Sequence, residues 1–212
     1  MRRSALTVLA LLVAGVAFGE DTTRTLSFSK NAEGIQAVVL KAGVGEVEIV
    51  VGKDAGVTAE VTLSMSKKPW SSARTKQELD AIELDSEVKG GTLYLRARGA
   101  HDDDHDFGED WSIHLPRAVA VTVEHGVGDV RVLDVAGDLD VRLGVGNVRI
   151  EGEYGAFGSI RGSCGVGDVD LRTPEGPQES EGFVGHSLSA SGPGKHEIRV
   201  KTGVGDVTIR LR

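Results

Sequence analysis

The side chains best suited to chemistry lie in one short stretch, residues 99–110, which reads GAHDDDHDFGED. Three aspartates alternate along it, a spacing typical of calcium-binding loops, in which successive carboxylates reach one ion. Two histidines add imidazole groups, which favour zinc and other transition metals. The sequence therefore predicts a candidate metal site, for calcium or zinc, made of His101, Asp102, Asp104, His105 and Asp106.

A second interpretation of this stretch remains open. Phe107 occupies the position at which a calcium loop needs a glycine for its sharp turn, and Ile113 stands where a bidentate glutamate belongs. The alternative is an acidic hairpin tip exposed to water, which discourages sheet edges from pairing with other molecules. The first interpretation makes the protein a metal-binding module, and the second assigns it no cofactor.

Residues 1–19 have the pattern of a secretory signal peptide. A positive start at Arg2 is followed by an apolar run, residues 5–17, and by small residues that suit a signal peptidase. The run is too short to span a bilayer, and no later segment is apolar over a comparable length. We therefore expect an exported protein, periplasmic or on the cell surface, whose mature chain 20–212 has no transmembrane segment.

The composition restricts the partners and the means of stabilisation. The chain of 212 residues carries a net charge of −8, which repels nucleic acid. Its single cysteine, Cys164, has no partner for an internal disulfide, so stability must come from packing and backbone pairing. The 29 glycines, without enrichment in proline or serine, indicate frequent turns.

One motif recurs: Gly-Val-Gly, then an acidic residue or Asn, then Val, any residue and an aliphatic residue. Its five copies, called units here, begin at Gly43, Gly126, Gly144, Gly165 and Gly203. The last four starts are 18, 21 and 38 residues apart, and because 38 is close to two periods, we expect a degenerate copy within residues 183–190. A period of ~20 residues indicates a repeat architecture.

Apolar and polar residues alternate on both sides of each glycine corner, as at Val121 and Val123. This alternation predicts short strands with one buried face, joined by a glycine turn. A unit of ~20 residues cannot bury that face alone, but stacked units can. The predicted fold is all-β and a single domain: a parallel β-solenoid of ~20-residue rungs at residues 117–212, with a less regular, strand-rich N-terminal part at 20–116.

Outward charges predict which units are neighbours. If units that are consecutive in sequence stack in register, side chains of opposite charge meet at four places, and such pairs specify register. The expected pairs are Glu124–Arg142, Asp140–Arg161, Arg149–Asp170 and Glu151–Arg172.

The N-terminal part contains other elements besides the Gly43 unit. Residues 71–84 have the pattern of either a short helix or a helical-looking connection. Residues 83–98 predict a hairpin that turns at two adjacent glycines. A further strand, with alternating apolar residues, ends at Pro116.

The residue after each glycine corner allows two interpretations. These residues are Glu46, Asp129, Asn147, Asp168 and Asp206. A structural role is favoured, in which the side chain caps backbone N–H groups in the turn. In the alternative, stacked carboxylates bind cations or a polymer, or serve as the acid and base of a β-helix polysaccharide lyase or hydrolase.

His125 and Cys164 occupy the same position in two units, immediately before the glycines. By strand parity this position points inward or lies at a corner. We therefore expect a packed histidine rather than a general base, and a buried thiol rather than a nucleophile. No serine lies in a nucleophile-elbow motif. The sequence thus predicts no catalytic residues and a protein that is not an enzyme.

Residues 111–152 resemble the bacterial putative-adhesin family, a domain of unknown function. Its members show a strand that ends in Leu-Pro or Val-Pro, followed by Gly-x-Gly-Asp-Val-x-Val units, and Leu115, Pro116 and the units from Gly126 onward match this pattern. Residues 187–212 are similar to the family's closing repeats. The resemblance implies a β-solenoid-like fold and an envelope location, and it supplies no catalytic residues.

The signal peptide and the repeat together lead to a functional hypothesis. We expect a non-catalytic cell-envelope protein, an adhesin-like binding or structural module whose partner is an unidentified envelope polymer or protein. The alternatives are an envelope module that binds calcium or zinc through residues 101–110, and a polysaccharide lyase or hydrolase.

Overall fold

The computed structural model describes residues 21–66, 72–99, 107–179 and 185–212. The predicted signal peptide, residues 1–19, lies outside these ranges. So do all five candidate metal ligands, from His101 to Asp106.

Within the described residues the chain forms two large β-sheets and one α-helix, α1 (Ser72–Asp80). Strands are numbered in chain order. The first sheet has the spatial order β1 (Asp21–Asn31), β4 (Gly56–Ser66), β7 (Gly108–Leu115), β3 (Val47–Val51), β9 (Val130–Leu133), β11 (Val148–Gly152), β17 (Val207–Leu211), β13 (Val169–Thr173) and β14 (Gly176–Glu179). The second has the order β15 (His186–Ser191), β12 (Phe157–Val166), β16 (His196–Val204), β10 (Leu139–Val145), β8 (Ala120–Val127), β2 (Ala37–Val44), β6 (Thr92–Arg98) and β5 (Glu83–Lys89).

Each unit crosses from the second sheet to the first at its glycine corner. In the Gly126 unit, for example, β8 ends at Val127 and β9 begins at Val130. The Gly43 unit contributes β2 and β3, which pair in parallel with β8 and β9. The N-terminal and C-terminal parts of the chain therefore share both sheets.

The sheets pack face to face around one hydrophobic core. On β8 the side chains of Val121 and Val123 are buried, whereas those of Thr122 and Glu124 are only half-buried. This alternation has the period of two residues that is expected for a strand. Burying a side chain of this size contributes roughly 1.5–3 kcal/mol. Equivalent buried positions on the next strands are held by Leu139, Val141, Ile198 and Val200.

The glycine corners need glycine for two separate reasons. Gly128 has a φ of 131°, a conformation that side-chain-bearing residues rarely adopt. A Cβ added there would also lie 1.7 Å from the carbonyl oxygen of Gly45 in the neighbouring unit. Close stacking of the corners therefore excludes any side chain at this position.

The predicted parallel β-solenoid is wrong. The two sheets are mixed, because their central strands run parallel while antiparallel strands complete both ends: β1–β4, β4–β7, β5–β6, β12–β15 and β13–β14. The units are also not stacked in chain order, since the Gly203 unit lies between the Gly144 and Gly165 units. A regular solenoid requires each unit to lie beside the one that precedes it in sequence.

This order makes three of the four predicted charge pairs wrong. Glu124 and Arg142 do pair, with Oε1 and Nη1 3.4 Å apart. The other pairs are separated because β16 and β17 are inserted between their strands. The observed register partners are Arg199 for Asp140, Thr208 for Arg149 and Arg210 for Glu151.

The degenerate copy expected within residues 183–190 is also wrong. In the described part of this range, β15 begins at His186 and pairs antiparallel with β12, instead of stacking as a parallel unit. The chain thus forms β12 and β13, returns through β14 and β15, and only then inserts β16 and β17.

The predicted elements of the N-terminal part are confirmed. Strands β5 and β6 form the hairpin, β7 ends directly before Pro116, and α1 lies within the predicted range 71–84. The end of α1 is held by Arg24 of β1, whose Nη1 donates to the carbonyl oxygens of Leu79, Asp80 and Ile82 at 3.0, 2.8 and 2.8 Å. These bonds satisfy carbonyl groups that a helix end leaves without partners.

Candidate functional site

The last part of the predicted metal loop belongs to the first sheet. Phe107 is buried, and residues 108–110 begin β7. Within the described ranges, no group of three or more His, Cys, Asp or Glu side chains could hold a metal ion. The five candidate ligands are not described, and a metal site there stays a prediction.

Glu109 is a buried carboxylate that the sequence interpretation missed. It is 1% exposed, its Oε2 accepts a hydrogen bond from Nε1 of Trp111 at 2.9 Å, and its Oε1 accepts the N–H of Gly43 at 3.3 Å. A buried carboxylate is costly unless it is hydrogen-bonded, so these contacts fix Glu109 against the first glycine corner. The alternation of the strand was the signal that could have predicted this burial, because Glu109 shares the inward face of β7 with Trp111.

The residues that follow the glycine corners form a row of hydrogen bonds across the first sheet. Oδ1 of Asp129 accepts the backbone N–H of Asn147 at 2.9 Å, and Oδ1 of Asn147 accepts that of Asp206 at 3.0 Å. Oδ1 of Asp206 in turn accepts the N–H of Asp168 at 3.0 Å. We call this row the corner ladder, which in spatial order consists of Asp110, Glu46, Asp129, Asn147, Asp206 and Asp168.

Both ends of the corner ladder are also bonded. At one end Asp110 accepts the N–H of Glu46 at 2.9 Å, and at the other Oδ1 of Asp168 lies 3.2 Å from Nδ1 of His186 on β15. The predicted capping role is confirmed for Asp129, Asn147 and Asp206, although the capped N–H belongs to the neighbouring unit and not to the same turn. These side-chain bonds tie the Gly126, Gly144, Gly203 and Gly165 corners together.

His125 and Cys164 are both buried, as predicted. Nε2 of His125 lies 2.9 Å from the carbonyl oxygen of Gly45. The thiol of Cys164 donates to the carbonyl oxygen of Gly167 at 2.9 Å, and burial raises the pKa of this thiol above its ordinary value. Strands β10 and β16 separate the two residues, so they do not form a histidine–cysteine pair.

The middle residue of every glycine corner is an exposed valine. The five valines are between 44% and 63% exposed. Register pairs join them into one row: Val44–Val127, Val127–Val145, Val145–Val204 and Val204–Val166. With strands ~4.8 Å apart, the row is roughly 19 Å long. We call it the valine ridge, made of Val44, Val127, Val145, Val204 and Val166.

The valine ridge is set apart from its surroundings. Each valine lies between two glycines, so it has no neighbouring side chain along its own strand, and the corner ladder runs beside the ridge two residues further on. Seven large apolar side chains are exposed in the described residues, and only Val88 and Tyr94 lie elsewhere. Single exposed apolar residues are normal on proteins, whereas a contiguous apolar row is a candidate interaction surface.

A shallow acidic cleft adjoins the ladder on the outer face of the first sheet. Its volume is about 230 Å³, and Asp110 and Asp129 form part of its lining. Glu48 and Glu60 lie on either side of Ser112, their common register neighbour, and both are exposed. Both carboxylates line the cleft, and a pair of carboxylates is what a polysaccharide-cleaving enzyme requires.

The fold is similar to that of a putative cell adhesion protein from Clostridium sporogenes. The TM-score is 0.50 at 18% identity, and the likeness covers 90% of this chain and 100% of the other. A putative adhesin from Bacteroides fragilis has a TM-score of 0.35 at 11% identity, covering 88% of this chain and 97% of that protein. Similarity at 18% identity shows a shared fold.

No protein-family model matches the sequence. No curated protein matches it either. Among the described residues, no helix combines the length and apolar character needed to cross a bilayer.

Proposed function

We propose that the protein is a non-catalytic, exported protein of the cell envelope, periplasmic or on the cell surface, and an adhesin-like module that binds a partner through the valine ridge. The observation that carries this proposal is the row of five exposed valines held in register. Apolar side chains that stay in water contribute no burial free energy to folding. A partner that covers them removes this apolar surface from water, which favours binding. The similarity to a putative cell adhesion protein supports the same role.

The chemistry of the surface favours a protein partner. A net charge of −8 and the acidic residues of the corner ladder oppose binding to anionic glycans, anionic lipids and nucleic acid. An apolar row flanked by carboxylates fits a protein surface that is apolar along a line and basic beside it. Backbone hydrogen bonds between units hold the row in place before binding, which lowers the ordering cost of association.

The absence of catalysis is part of the proposal, and two features support it. The ladder oxygens that a lyase or hydrolase would use accept backbone hydrogen bonds, as between Asp129 and Asn147. Glu48 and Glu60 are exposed on an open sheet face, without the apolar surroundings that tune a glycosidase acid.

Co-sedimentation tests the proposal. Purified protein is mixed with envelope fragments of the producing cell, with the same fragments after protease treatment, and with purified cell-wall sacculi. We expect retention by the untreated fragments alone, because protease removes a protein partner and sacculi lack one. Retention by sacculi, or by no fraction, would contradict a protein partner.

Matched variants connect retention to the ridge. The double variant Val127→Asp and Val145→Asp places charge on two exposed side chains at the centre of the row, and we expect it to abolish retention. Val88→Asp, at an exposed valine on β5, serves as the control and should be retained like the wild type. Urea unfolding of all three proteins checks that the variants remain folded. Equal retention of the ridge variant and the control would refute the assignment of the site.

A further inference from the structure

A groove crosses β5, β6 and β2 on the outer face of the second sheet. Its volume is about 380 Å³, and none of its lining residues belongs to the valine ridge or the corner ladder. Val39 of β2 borders it, and Val44, the ridge valine on the same strand, lies roughly 17 Å further along. The groove is therefore a separate surface, and an inference drawn from it does not rest on the proposed function.

Tyr94 gives this groove an aromatic ring. Its side chain is 42% exposed, and within the described ranges it is the one aromatic residue among the exposed large apolar side chains. Its register neighbours are Val39 on β2 and Glu87 on β5. Tyr94 and Val39 thus lie side by side and offer an apolar surface on which a flat ring can stack.

Charged side chains of both signs border this apolar surface. Two residues further along β6, Arg96 lies between Lys41 on β2 and Asp85 on β5. Nε of Arg96 is 3.8 Å from Oδ2 of Asp85, which is longer than a hydrogen bond, so both atoms can bond to a ligand. Lys89 lies 2.7 Å from Glu87, and its ammonium group has further N–H donors to offer. Hydrogen-bond donors and acceptors thus stand together around the aromatic ring.

This combination of groups selects the chemistry of the ligand. Asp85 and Glu87 oppose an anion, and Lys41, Lys89 and Arg96 oppose a cation. A wholly apolar ligand would remove these charged groups from water without replacing their hydrogen bonds. A neutral molecule with an apolar face and a rim of hydroxyl groups avoids all three costs, because each hydroxyl group both donates and accepts.

We propose that the groove binds a neutral pyranose sugar, whose C–H face stacks on Tyr94 and whose hydroxyl groups bond to the charged side chains beside it. Arg96 and Lys41 donate to the sugar hydroxyl groups, and Asp85 and Glu87 accept from them. Because the groove is open to water and stacks a single ring, the dissociation constant lies in the millimolar range. Complexes this weak dissociate when envelope fragments are washed, so co-sedimentation reports on the ridge and sugar titration reports on the groove.

Titration of the isotope-labelled mature protein, followed by NMR, tests the proposal. The probes are the methyl glycosides of glucose, galactose, mannose and N-acetylglucosamine, with glucuronic acid as an anionic counterpart. We expect at least one neutral sugar to shift the amide signals of β2, β5 and β6 and to bind more tightly than glucuronic acid. The proposal is wrong if no neutral sugar binds at millimolar concentration, if the shifts lie on other strands, or if glucuronic acid binds most tightly.

Variants locate the sugar on the aromatic ring. Tyr94→Ala removes the ring and should weaken binding about 10-fold or more, whereas Tyr94→Phe keeps the ring and should stay within about 2-fold of the wild type. Val88→Ala, at an exposed residue of β5 outside the groove lining, is the matched control and should bind like the wild type. Urea unfolding checks that each variant is folded. Binding by Tyr94→Ala as tight as that of the wild type, or equal losses in Tyr94→Ala and Tyr94→Phe, would overturn the proposal.

Discussion

Asn147 stands beside Asp129 in the corner ladder, and its side-chain Nδ2 donates a hydrogen bond to Oδ1 of Asp129 over 3.2 Å. Its own Oδ1 accepts the backbone N–H of Asp206. A carboxylate at this place could accept in the same way but could not donate. Asn147 is the uncharged member of the ladder, and it separates Asp129 from the carboxylates of Asp206 and Asp168.

Replacing Asn147 by Asp should destabilise the protein by about 1 kcal/mol, because it removes a hydrogen bond and joins two groups of carboxylates into one row. Urea unfolding at low and high salt measures the effect, which should shrink as salt screens the repulsion. Asn147→Ala is the control: it loses both side-chain bonds of Asn147 without adding charge, so its cost should not depend on salt. A salt-independent cost for Asn147→Asp would contradict the charge argument.

Gly128→Ala should cost more than ~3 kcal/mol, since it combines a positive φ with a Cβ placed against the carbonyl oxygen of Gly45. Gly155→Ala is the matched control, because nothing lies within 4 Å of a Cβ there, and its effect should stay within ~1 kcal/mol. Denaturant midpoints of the two variants provide the comparison. Similar stabilities would show that the corners are not closely stacked.

Gly162 tests how the two sheets fit together. Its register partner Val200 is a valine, but a Cβ at 162 would lie 2.6 Å from Cγ1 of Val169 on the opposite sheet. Gly162→Val should therefore overpack the core and cost about 1–3 kcal/mol. Val169→Ala added to this variant should recover part of the loss, because it vacates the same space. Additive losses in the double variant would contradict the contact.

Much of the local structure could be predicted from the sequence, because alternation and glycine corners act over a few residues. Strands, corners and the β5–β6 hairpin follow from such patterns. The order of the units could not be predicted, because no local signal specifies it. Asp140 illustrates the reason: Arg161 and Arg199 occupy equivalent positions, so either neighbour satisfies the charge rule, and the structure places Arg199 there.

The candidate site was only partly visible in the sequence. The valine of each corner reads as another apolar repeat position, and only the bend at the two glycines turns it outward. Glu109 was overlooked because it lies in a stretch rich in acidic residues, where its neighbour Asp110 is exposed. Alternation along a strand buries one residue and exposes the next. The acidic composition of this stretch hides the strand, because it is typical of a solvent-exposed loop.

Cys164 should react slowly with alkylating reagents in the folded protein. Burial raises the pKa of its thiol, so little of the reactive thiolate forms at neutral pH. Iodoacetamide labelling followed by mass spectrometry should be slow in buffer and fast in urea. Equal rates would contradict the buried state.

The raised pKa of the Cys164 thiol also predicts that the stability of the protein depends on pH. Because the folded state holds the thiol proton more tightly, this contribution is present below the ordinary pKa of a thiol and is lost in alkaline solution as pH rises through the folded value. Cys164→Ala should remove this part of the alkaline loss. An unchanged pH profile in the variant would contradict the assignment.

The central claim is that the valine ridge contacts the partner in the envelope. Photo-crosslinking in intact cells tests it most directly, with a photoreactive amino acid placed in turn at Val127, Val145 and Val204, and at Val88 and Tyr94 as exposed controls. We expect the three ridge positions to give the same crosslinked species and the two controls to give none. Crosslinks at the controls alone, or equally at all five positions, would contradict the ridge as the binding surface.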